Sequence, residues 1–422
     1  MNNTKKESLL IISYKIPYPL ESGGAIAQFF FLKQLVNKYE VSFCTEISNE
    51  NQKNHLLKLK NILPDLKIFM HQVVNKEVDF RSKTISKLFK YFKIIKGIIW
   101  PILSNIFTKK NIVTTPNILN NSFGYSNEGF TIFICEIFKS YTFDFVQLEF
   151  FESISLLPII PVESKKIVIL HEIRSKRNSL IKIPNPHYKK YLVDINKIIE
   201  NSFLDLADSV VVFNEQDKEF LKDINSNVHV SPFGIPIELI EKEKASNYFN
   251  KFLFIGGENH YPNKEALEWF LEMVYIPNID IITWPIHITG RWSSGFVRKY
   301  KNYPQICFTG FLGGFKNIYD NSVLISPILS GSGIRTKILQ SFANKIPVVS
   351  TRFASEGLFE NAIPPKHIIH FDTVSEFLNL FKNFENDMDY LKQTADDGYL
   401  YYTTYFNSKL LIEKRFEVYN LN

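Results

Sequence analysis

Residues 323–358 read VLISPILSGSGIRTKILQSFANKIPVVSTRFASEGL. The apolar run at residues 323–327 predicts a buried parallel strand. The loop Gly331-Ser332-Gly333 follows, and its glycines tolerate backbone angles that let a ligand come close. Residues 334–344 space their apolar side chains as a helix does, and residues 347–350 predict a second short strand. A strand, a glycine loop, a helix and a strand in this order form half of a nucleotide-binding unit.

Two cations lie at the start of the predicted helix, directly after the glycine loop. Arg335 and Lys337 fall in its first turn, where their charges oppose the helix dipole. A helix N-terminus offers free N–H groups and a partial positive charge, which suit a diphosphate. The two cations are easiest to explain if an anion binds there. A glycine loop alone is equally consistent with a tight turn, so the prediction depends on the complete pattern.

The complete pattern resembles the donor-binding segment of GT-B glycosyltransferases, in particular the retaining group called group 1 or family 4. That segment has the form P-x-x-x-G-S-G-x-R-x-K-I-L-E-A-x-A, followed by P-V-V-S-T and E-G-L. The matching residues are Pro327, Gly331, Ser332, Gly333, Arg335, Lys337, Ile338, Leu339, Ala343, Pro347 to Thr351 and Glu356 to Leu358. The resemblance implies that the glycine loop, Arg335, Lys337 and Glu356 bind a nucleotide-sugar donor.

The chain departs from the family at two positions. The family has two glutamates eight residues apart, and the second holds the ribose hydroxyls of the donor. Ser332 and Gln340 occupy these positions here. Gln340 can still bind a diol through its amide, but without the strength of a charged hydrogen bond.

Length and composition indicate a two-domain protein with large cores. The chain has 422 residues, 45% of them hydrophobic, and a formal net charge of +6, which does not by itself indicate nucleic acid binding. Its three cysteines are far apart and predict neither a disulfide framework nor a metal site, so we expect a reducing compartment. The apolar run near the N-terminus is too short for a signal peptide, and no run reaches the roughly 18 residues of a membrane span. We therefore expect a cytoplasmic protein.

The N-terminal half begins with its own strand, glycine loop and helix. Residues 17–24, PYPLESGG, precede a predicted helix at 25–38. The pattern P-x-P-x-x-x-G-G is typical of the same glycosyltransferase family, where this loop faces the cleft between the domains. The resemblance implies a phosphate-facing role for Gly23 and Gly24, while a simple turn is the alternative.

Residues 80–110 have the composition of a helix that lies on a membrane surface. Lysines, among them Lys87, Lys90 and Lys93, interleave there with apolar residues and one tryptophan. We expect peripheral contact with anionic lipid on the inner face of the membrane. The alternative is a surface helix that covers the domain core.

Strands alternate with helices along the whole chain, which predicts two doubly wound α/β sheets. With the resemblance, the fold class is GT-B: two Rossmann-like domains that face a central cleft, with a C-terminal helix that crosses back to the first domain. We expect an acceptor-binding domain at residues 1–235, a donor-binding domain at 245–400 and the returning helix at 401–422. Gly256 and Arg291 follow two strands of the second domain and are expected at the donor site.

The predicted chemistry is sugar transfer without a metal or other cofactor. His171 follows the predicted strand at residues 166–170, so its side chain is expected to enter the cleft. In the family, a histidine at the matching strand end lies close to the donor sugar, which makes His171 the catalytic candidate. Glu149 also ends a strand and is expected to orient an acceptor or a loop. The protein has no clustered cysteines and histidines, and its one D-x-D, at 387–389, does not follow a strand.

We therefore expect a retaining glycosyltransferase that uses a UDP- or GDP-linked sugar and a glycan or lipid-linked acceptor, in the synthesis of a surface polysaccharide or glycoconjugate. Two alternatives stay open. One is a sugar-nucleotide epimerase of the same fold. The other is a catalytically silent partner subunit that binds a glycan or a protein, which the glutamine at position 340 keeps open.

Overall fold

The chain folds around two parallel sheets. The computed structural model describes residues 6–73, 126–181, 183–241, 246–311, 318–331, 333–358 and 367–420. Within these residues the first sheet has the strand order β3-β2-β1-β4-β5-β6-β7, and the second has the order β10-β9-β8-β11-β12-β13. The strands β1 to β13 are Ser8–Ile12, Glu40–Ile47, Lys67–Gln72, Phe145–Glu149, Lys165–Ile169, Ser209–Val212, Val228–Val230, Lys251–Ile255, Ile286–Thr289, Ile306–Gly310, Ser322–Ser326, Val348–Ser350 and Ile369–His370. The prediction of two doubly wound sheets is confirmed.

Helices cover both faces of each sheet, because the strands are apolar on both sides. In β1, Leu9 and Ile11 join one buried cluster, whereas Leu10 and Ile12 join the cluster on the opposite face. The helices α1 to α12 are Gly23–Lys38, Glu50–Ile62, Glu128–Ser140, Arg174–Leu180, Pro186–Leu204, Glu215–Leu221, Tyr261–Trp269, Ser294–Lys299, Thr336–Ala343, Val374–Asn386, Met388–Tyr405 and Ser408–Asn420. Shorter helical turns lie at Phe151–Ile159, Ile237–Leu239, Phe270–Tyr275, Ile276–Asn278 and Phe353–Ser355.

The two helices that follow the glycine loops begin at positions other than those predicted. Helix α1 begins at Gly23, two residues early, because the Ser22 hydroxyl accepts a hydrogen bond from the Ala25 N–H and caps it. Gly23 and Gly24 therefore form the first helical turn. Helix α9 begins at Thr336, so Arg335 occupies the N-cap position and only Lys337 lies in the first turn.

The C-terminal helix returns to the first domain, as predicted. Arg415 of α12 is buried and donates hydrogen bonds to Ser231 Oγ at 2.9 Å and to the Ser231 carbonyl at 3.1 Å. Tyr419 packs its ring 5.2 Å from the ring of Tyr39, which follows α1. Helix α12 is thus part of the first domain's core, although the chain reaches it after completing the second domain.

The predicted membrane-surface segment at residues 80–110, with Lys87, Lys90 and Lys93, lies outside the described residues. Among the residues that the structure does describe, no helix combines the length and the hydrophobicity needed to cross a bilayer.

Candidate active site

The carboxyl ends of the two sheets meet at a cleft, and glycines let their loops touch. A Cβ atom on Gly23 would lie 2.5 Å from the Thr336 hydroxyl of α9, and one on Gly333 would lie 3.0 Å from the His171 carbonyl oxygen. Side chains at these positions would force the two domains apart. The structure thus brings the first turn of α1, the end of β5 and the start of α9 together, as the two sequence patterns predict.

Lys337 is a partly buried cation at the start of α9. Its ammonium group donates a hydrogen bond to Asn263 Oδ1 at 2.8 Å and lies 4.8 Å from the ring centre of Phe254. It has no carboxylate within salt-bridge distance among the described residues. Burial and the neighbouring Arg335 lower the pKa of Lys337 to about 7. An ammonium group in this position is stabilised when an anion binds beside it.

Arg335 lies next to Lys337 and has more negative surroundings. Its guanidinium donates to the Gly333 carbonyl at 2.7 Å and lies 5.4 Å from the ring centre of Phe353. Burial lowers the pKa of Arg335 to about 10, although the carboxylate of Glu356 opposes this shift. Arg335 holds the glycine loop in place, and Lys337 adds a second positive charge at the start of α9.

A pocket between the domains lies against Arg335 and the glycine loop. Its walls are formed by residues of both domains: Lys176, Leu180, Asn214, Gln216, Asp217, Gly331, Gly333, Arg335, Glu356 and Gly357. Within the wall, Lys176 donates to Asp217 at 2.6 Å. Asn214 caps α6 by accepting the Asp217 N–H at 2.8 Å. The pocket therefore offers both charged and hydrogen-bonding groups beside the glycine loop.

Charged residues that follow β5 form a network along the cleft. Glu172 accepts from Arg177 at 2.6 Å and lies 3.5 Å from Arg174, which also donates to Glu152 at 2.7 Å. Burial alone would raise the pKa of Glu172, but Arg177 and Arg174 outweigh it and lower the pKa to about 2. This network fixes the loop that carries His171.

His171 lies at the end of β5 on the cleft side of the first domain. Its Nε2 is 2.6 Å from Glu149 Oε2, and its ring stacks on Phe150 with centroids 3.8 Å apart. Burial lowers the pKa of His171 below its ordinary value, and the hydrogen bond to Glu149 opposes this effect. The neutral imidazole is thus the favoured form at pH 7.

Part of the second domain matches a known protein family. Residues 250–376 match the model of the glycosyl transferases group 1. These residues contain the glycine loop, Arg335 and Lys337. This part of the chain is therefore similar to the group 1 glycosyl transferases.

The whole chain superimposes on solved glycosyltransferase structures. Sucrose-phosphate synthase from Thermosynechococcus elongatus has a TM-score of 0.66 at 12% identity, with 98% of each chain covered. TarM has a TM-score of 0.63 at 11% identity over 100% of both chains, and HepE from Anabaena, solved with UDP, has 0.61 at 11% identity over 98% of this chain and 99% of that one. The fold is GT-B, as predicted.

One curated relative is itself uncharacterised. A 44.6 kDa protein in the cps region of Klebsiella pneumoniae is 24% identical over 273 residues, which are 61% of this chain and 67% of that protein.

Other predicted donor-site residues of the GT-B cleft differ in their surroundings. Gly256 lies beside Asn263, the residue that accepts a hydrogen bond from Lys337. A Cβ on Gly256 would lie 2.6 Å from the Asn263 side chain. Gln340 is buried in α9, and its amide nitrogen has no hydrogen-bond partner within the described part of the chain. Ser332 lies outside the described residues.

Two predicted residues have partners that the sequence did not indicate. Arg291 is largely exposed and forms an ion pair with Glu21 of the first domain at 2.8 Å, so its charge is already neutralised. Glu149 is 3% exposed and lies behind His171, between that residue and Gln147. The structure therefore places Glu149 against the imidazole and not at the surface of the cleft.

The sequence did not reveal the partners that hold the predicted residues. Asn263 holds Lys337, and Phe150 stacks on His171. Asn263 lies in the first turn of α7, directly after the polar loop that follows β8, and this polar stretch is the one available signal for it. Phe150 follows β4 directly, but nothing in the sequence indicates its positive φ of 69°.

Proposed function

We propose that this protein is a retaining glycosyltransferase that transfers a hexose from a UDP- or GDP-linked donor to a hydroxyl of a glycan or lipid-linked acceptor. The observation that carries the proposal is Lys337, a partly buried ammonium group beside Arg335 with no carboxylate in salt-bridge distance among the described residues. It lies at a helix N-terminus opposite His171. A nucleoside diphosphate supplies the missing negative charge.

The chemistry follows from where charge develops during sugar transfer. The bond between the anomeric carbon and the diphosphate oxygen breaks, so negative charge grows on the diphosphate and positive charge grows on the sugar. Lys337, Arg335 and the N–H groups at the start of α9 stabilise the leaving diphosphate. These protein charges supply what a metal ion supplies in other transferases, and we propose that the reaction needs no metal.

The relatives support this reading of donor and acceptor. Structures of HepE contain UDP or UDP-glucose, and one of TarM contains UDP and α-GlcNAc-glycerol. The cps-region relative from Klebsiella pneumoniae supports a role in surface polysaccharide synthesis. We propose that the protein acts in the cytoplasm, peripherally on the inner face of the membrane, where lipid-linked acceptors are available.

A second function, a silent partner subunit, is favoured by Gln340. The family's ribose-binding glutamate is replaced there by a buried amide whose nitrogen has no partner among the described residues. A subunit that does not turn over a donor would tolerate this loss of a charged hydrogen bond.

Incubation of the purified protein with a panel of UDP- and GDP-sugars tests both functions. A transferase slowly hydrolyses its donor and releases UDP or GDP. An epimerase changes the sugar and keeps the nucleotide attached, and a silent subunit does neither. Gln340→Glu is the matched variant, because a transferase weakened only at the ribose should bind its donor more tightly once the carboxylate is restored. No release of nucleotide from any donor, by either protein, would contradict the proposal.

A further inference from the structure

His171 is held so that only one of its ring nitrogens has a hydrogen-bond partner among the described residues. Nε2 is 2.6 Å from Glu149 Oε2, whereas Nδ1 has no hydrogen-bond partner among the described residues. A Cβ on Gly24 would lie 3.6 Å from Nδ1, so this nitrogen points toward the first turn of α1 in the cleft. Nδ1 is a buried atom without a partner in the free protein, a cost that a hydrogen bond from a ligand would remove.

Glu149 is the end point of a hydrogen-bond chain that begins on the C-terminal helix. The Tyr419 hydroxyl donates to Gln147 Oε1, and Gln147 Nε2 donates to Glu149 Oε1 at 2.5 Å. The imidazole approaches the other carboxylate oxygen. The buried guanidinium of Arg415 adds an attractive charge near Glu149.

This chain of donors determines the tautomer of His171. The Glu149 carboxylate accepts from the Gln147 amide on Oε1 and faces the imidazole with Oε2. An ionised carboxylate can only accept hydrogen bonds, so Nε2 must carry the hydrogen. Nδ1 of a neutral imidazole then holds the lone pair and is an acceptor.

Backbone strain at Phe150 supports a functional role for this arrangement. Phe150 has φ 69° and ψ 159°, a combination that residues other than glycine rarely adopt. The strained backbone places the ring against His171, with centroids 3.8 Å apart, and Lys15 lies 4.2 Å from the ring centre. Gly24 is adjacent, since a Cβ there would lie 2.8 Å from the ring. The strained backbone of Phe150 indicates that the orientation of the His171 ring matters for function.

We propose that Glu149, Gln147 and Tyr419 are positioning residues that hold His171 as the Nε2–H tautomer, so that Nδ1 accepts a hydrogen bond from a hydroxyl of the transferred sugar. The substrate contact rests on the proposed glycosyl transfer. Positive charge develops on the sugar as the diphosphate leaves, so a neutral acceptor favours the transition state and an imidazolium opposes it. The C-terminal helix thereby contributes to the active site without reaching it.

Glu149→Gln is the first test. The charged groups that act on His171 are Glu149, Lys15 and Arg415, and of these only Glu149 stabilises the imidazolium. Removing its charge lowers the pKa of His171 further, so the acidic limb of the kcat profile should move to lower pH. The glutamine amide can also donate to Nε2 and reverse the tautomer, so kcat should fall by about 10²-fold, with little change in the KM for the donor.

Tyr419→Phe tests the far end of the chain, and Tyr39→Phe is its matched control. The Tyr39 ring lies 5.2 Å from the Tyr419 ring, and its buried hydroxyl has no hydrogen-bond partner within the described residues. Both variants remove one hydroxyl from the same part of the core. Tyr419→Phe should lower kcat by about three- to tenfold, the effect of one hydrogen bond, whereas Tyr39→Phe should leave it unchanged.

Nitrogen NMR of the full chain labelled with ¹⁵N-histidine gives a readout that needs no substrate. The His171 resonances, assigned by their loss in His171→Asn, should show a protonated Nε2 and an unprotonated Nδ1, with a lower pKa in Glu149→Gln. A protonated Nδ1 in the unaltered protein, or equal effects of Tyr419→Phe and Tyr39→Phe, would overturn the proposal. The expected tautomer without turnover of any nucleotide sugar would contradict the substrate contact and the proposed function, and would leave the positioning role supported.

Discussion

Replacing Lys337 with methionine should weaken donor binding and make the protein more stable. The ammonium group is held by Asn263 at 2.8 Å and has only a cation, Arg335, as a charged neighbour of note. Burial lowers its pKa from 10.5 to about 7. The Lys337 side chain costs stability in the free protein and gains a charged partner only when an anion binds. Its removal should therefore raise the free energy of unfolding and lower the affinity for the donor.

The expected loss of affinity is that of one charged hydrogen bond. Such a bond contributes about 1.5–3 kcal/mol, which corresponds to roughly ten- to 150-fold in the dissociation constant. Isothermal titration calorimetry of UDP and GDP at pH 6.5, where Lys337 is largely protonated, measures this directly. At pH 8 the unaltered protein should also take up more protons on binding than the variant does, because the diphosphate raises the pKa of Lys337.

The expected gain in stability follows from the shift in pKa. A shift from 10.5 to about 7 corresponds to at most about 5 kcal/mol, and solvent screening of a partly exposed side chain reduces this to roughly 2 kcal/mol. The lowered pKa means that the unfolded state binds more protons between pH 7 and 10.5. The free energy of unfolding of the unaltered protein should therefore rise with pH in this window, and the advantage of Lys337→Met should shrink. Urea denaturation at pH 7 and pH 9.5 measures both effects.

Lys264→Met is the matched control. Lys264 is adjacent in sequence to Asn263 but pairs with Glu258 at 3.0 Å, so the substitution makes the same change in charge outside the proposed site. It should leave the affinity for UDP and GDP unchanged. Equal losses in the two variants, or an unchanged affinity in Lys337→Met, would refute the assignment of the diphosphate to Lys337.

The other predictions concern the rest of the cleft and the segment outside the described residues. His171→Ala should lower kcat by about 10²-fold or more with a smaller change in donor KM and an intact fold, and near-normal turnover of the folded variant would contradict a catalytic role. Gly24→Val should abolish activity in a donor-hydrolysis assay, because a Cβ there lies 2.8 Å from the Phe150 ring, and an active variant would show that the space beside Phe150 and Nδ1 of His171 is not required. Arg291→Ala should change donor affinity by less than about 1 kcal/mol, since its guanidinium is exposed and already paired with Glu21, and a larger loss by calorimetry would restore Arg291 to the donor site. Residues 80–110 should bind anionic vesicles in low salt, with each surface lysine contributing about 1 kcal/mol, and failure to co-sediment would favour the alternative of a helix that covers the core.

The positions of the predicted cations and of His171 followed from local pattern, because each lies next to an element that the sequence specifies. Apolar runs of four to eight residues that alternate with helical spacing indicate parallel strands, and residues after such strands lie at one edge of the sheet. Gly331, Gly333, Arg335 and Lys337 could therefore be placed at a strand-to-helix junction, and the structure has them there. The helix starts differed from the prediction: the Ser22 hydroxyl caps α1 two residues early, and α9 begins after Arg335 without a side-chain cap.

The sequence by itself determined the two parallel sheets, the glycine loops and the types of residue at the strand ends. Only the tertiary structure decided which of those residues touch. Gln147 and Tyr419 are separated by 272 residues and meet because α12 packs against the first sheet. Arg291, which was expected at the donor, pairs with Glu21 across the cleft. Local periodicity specifies the direction of a side chain relative to its own strand or helix, but contacts between distant segments depend on how the two domains and the returning helix pack.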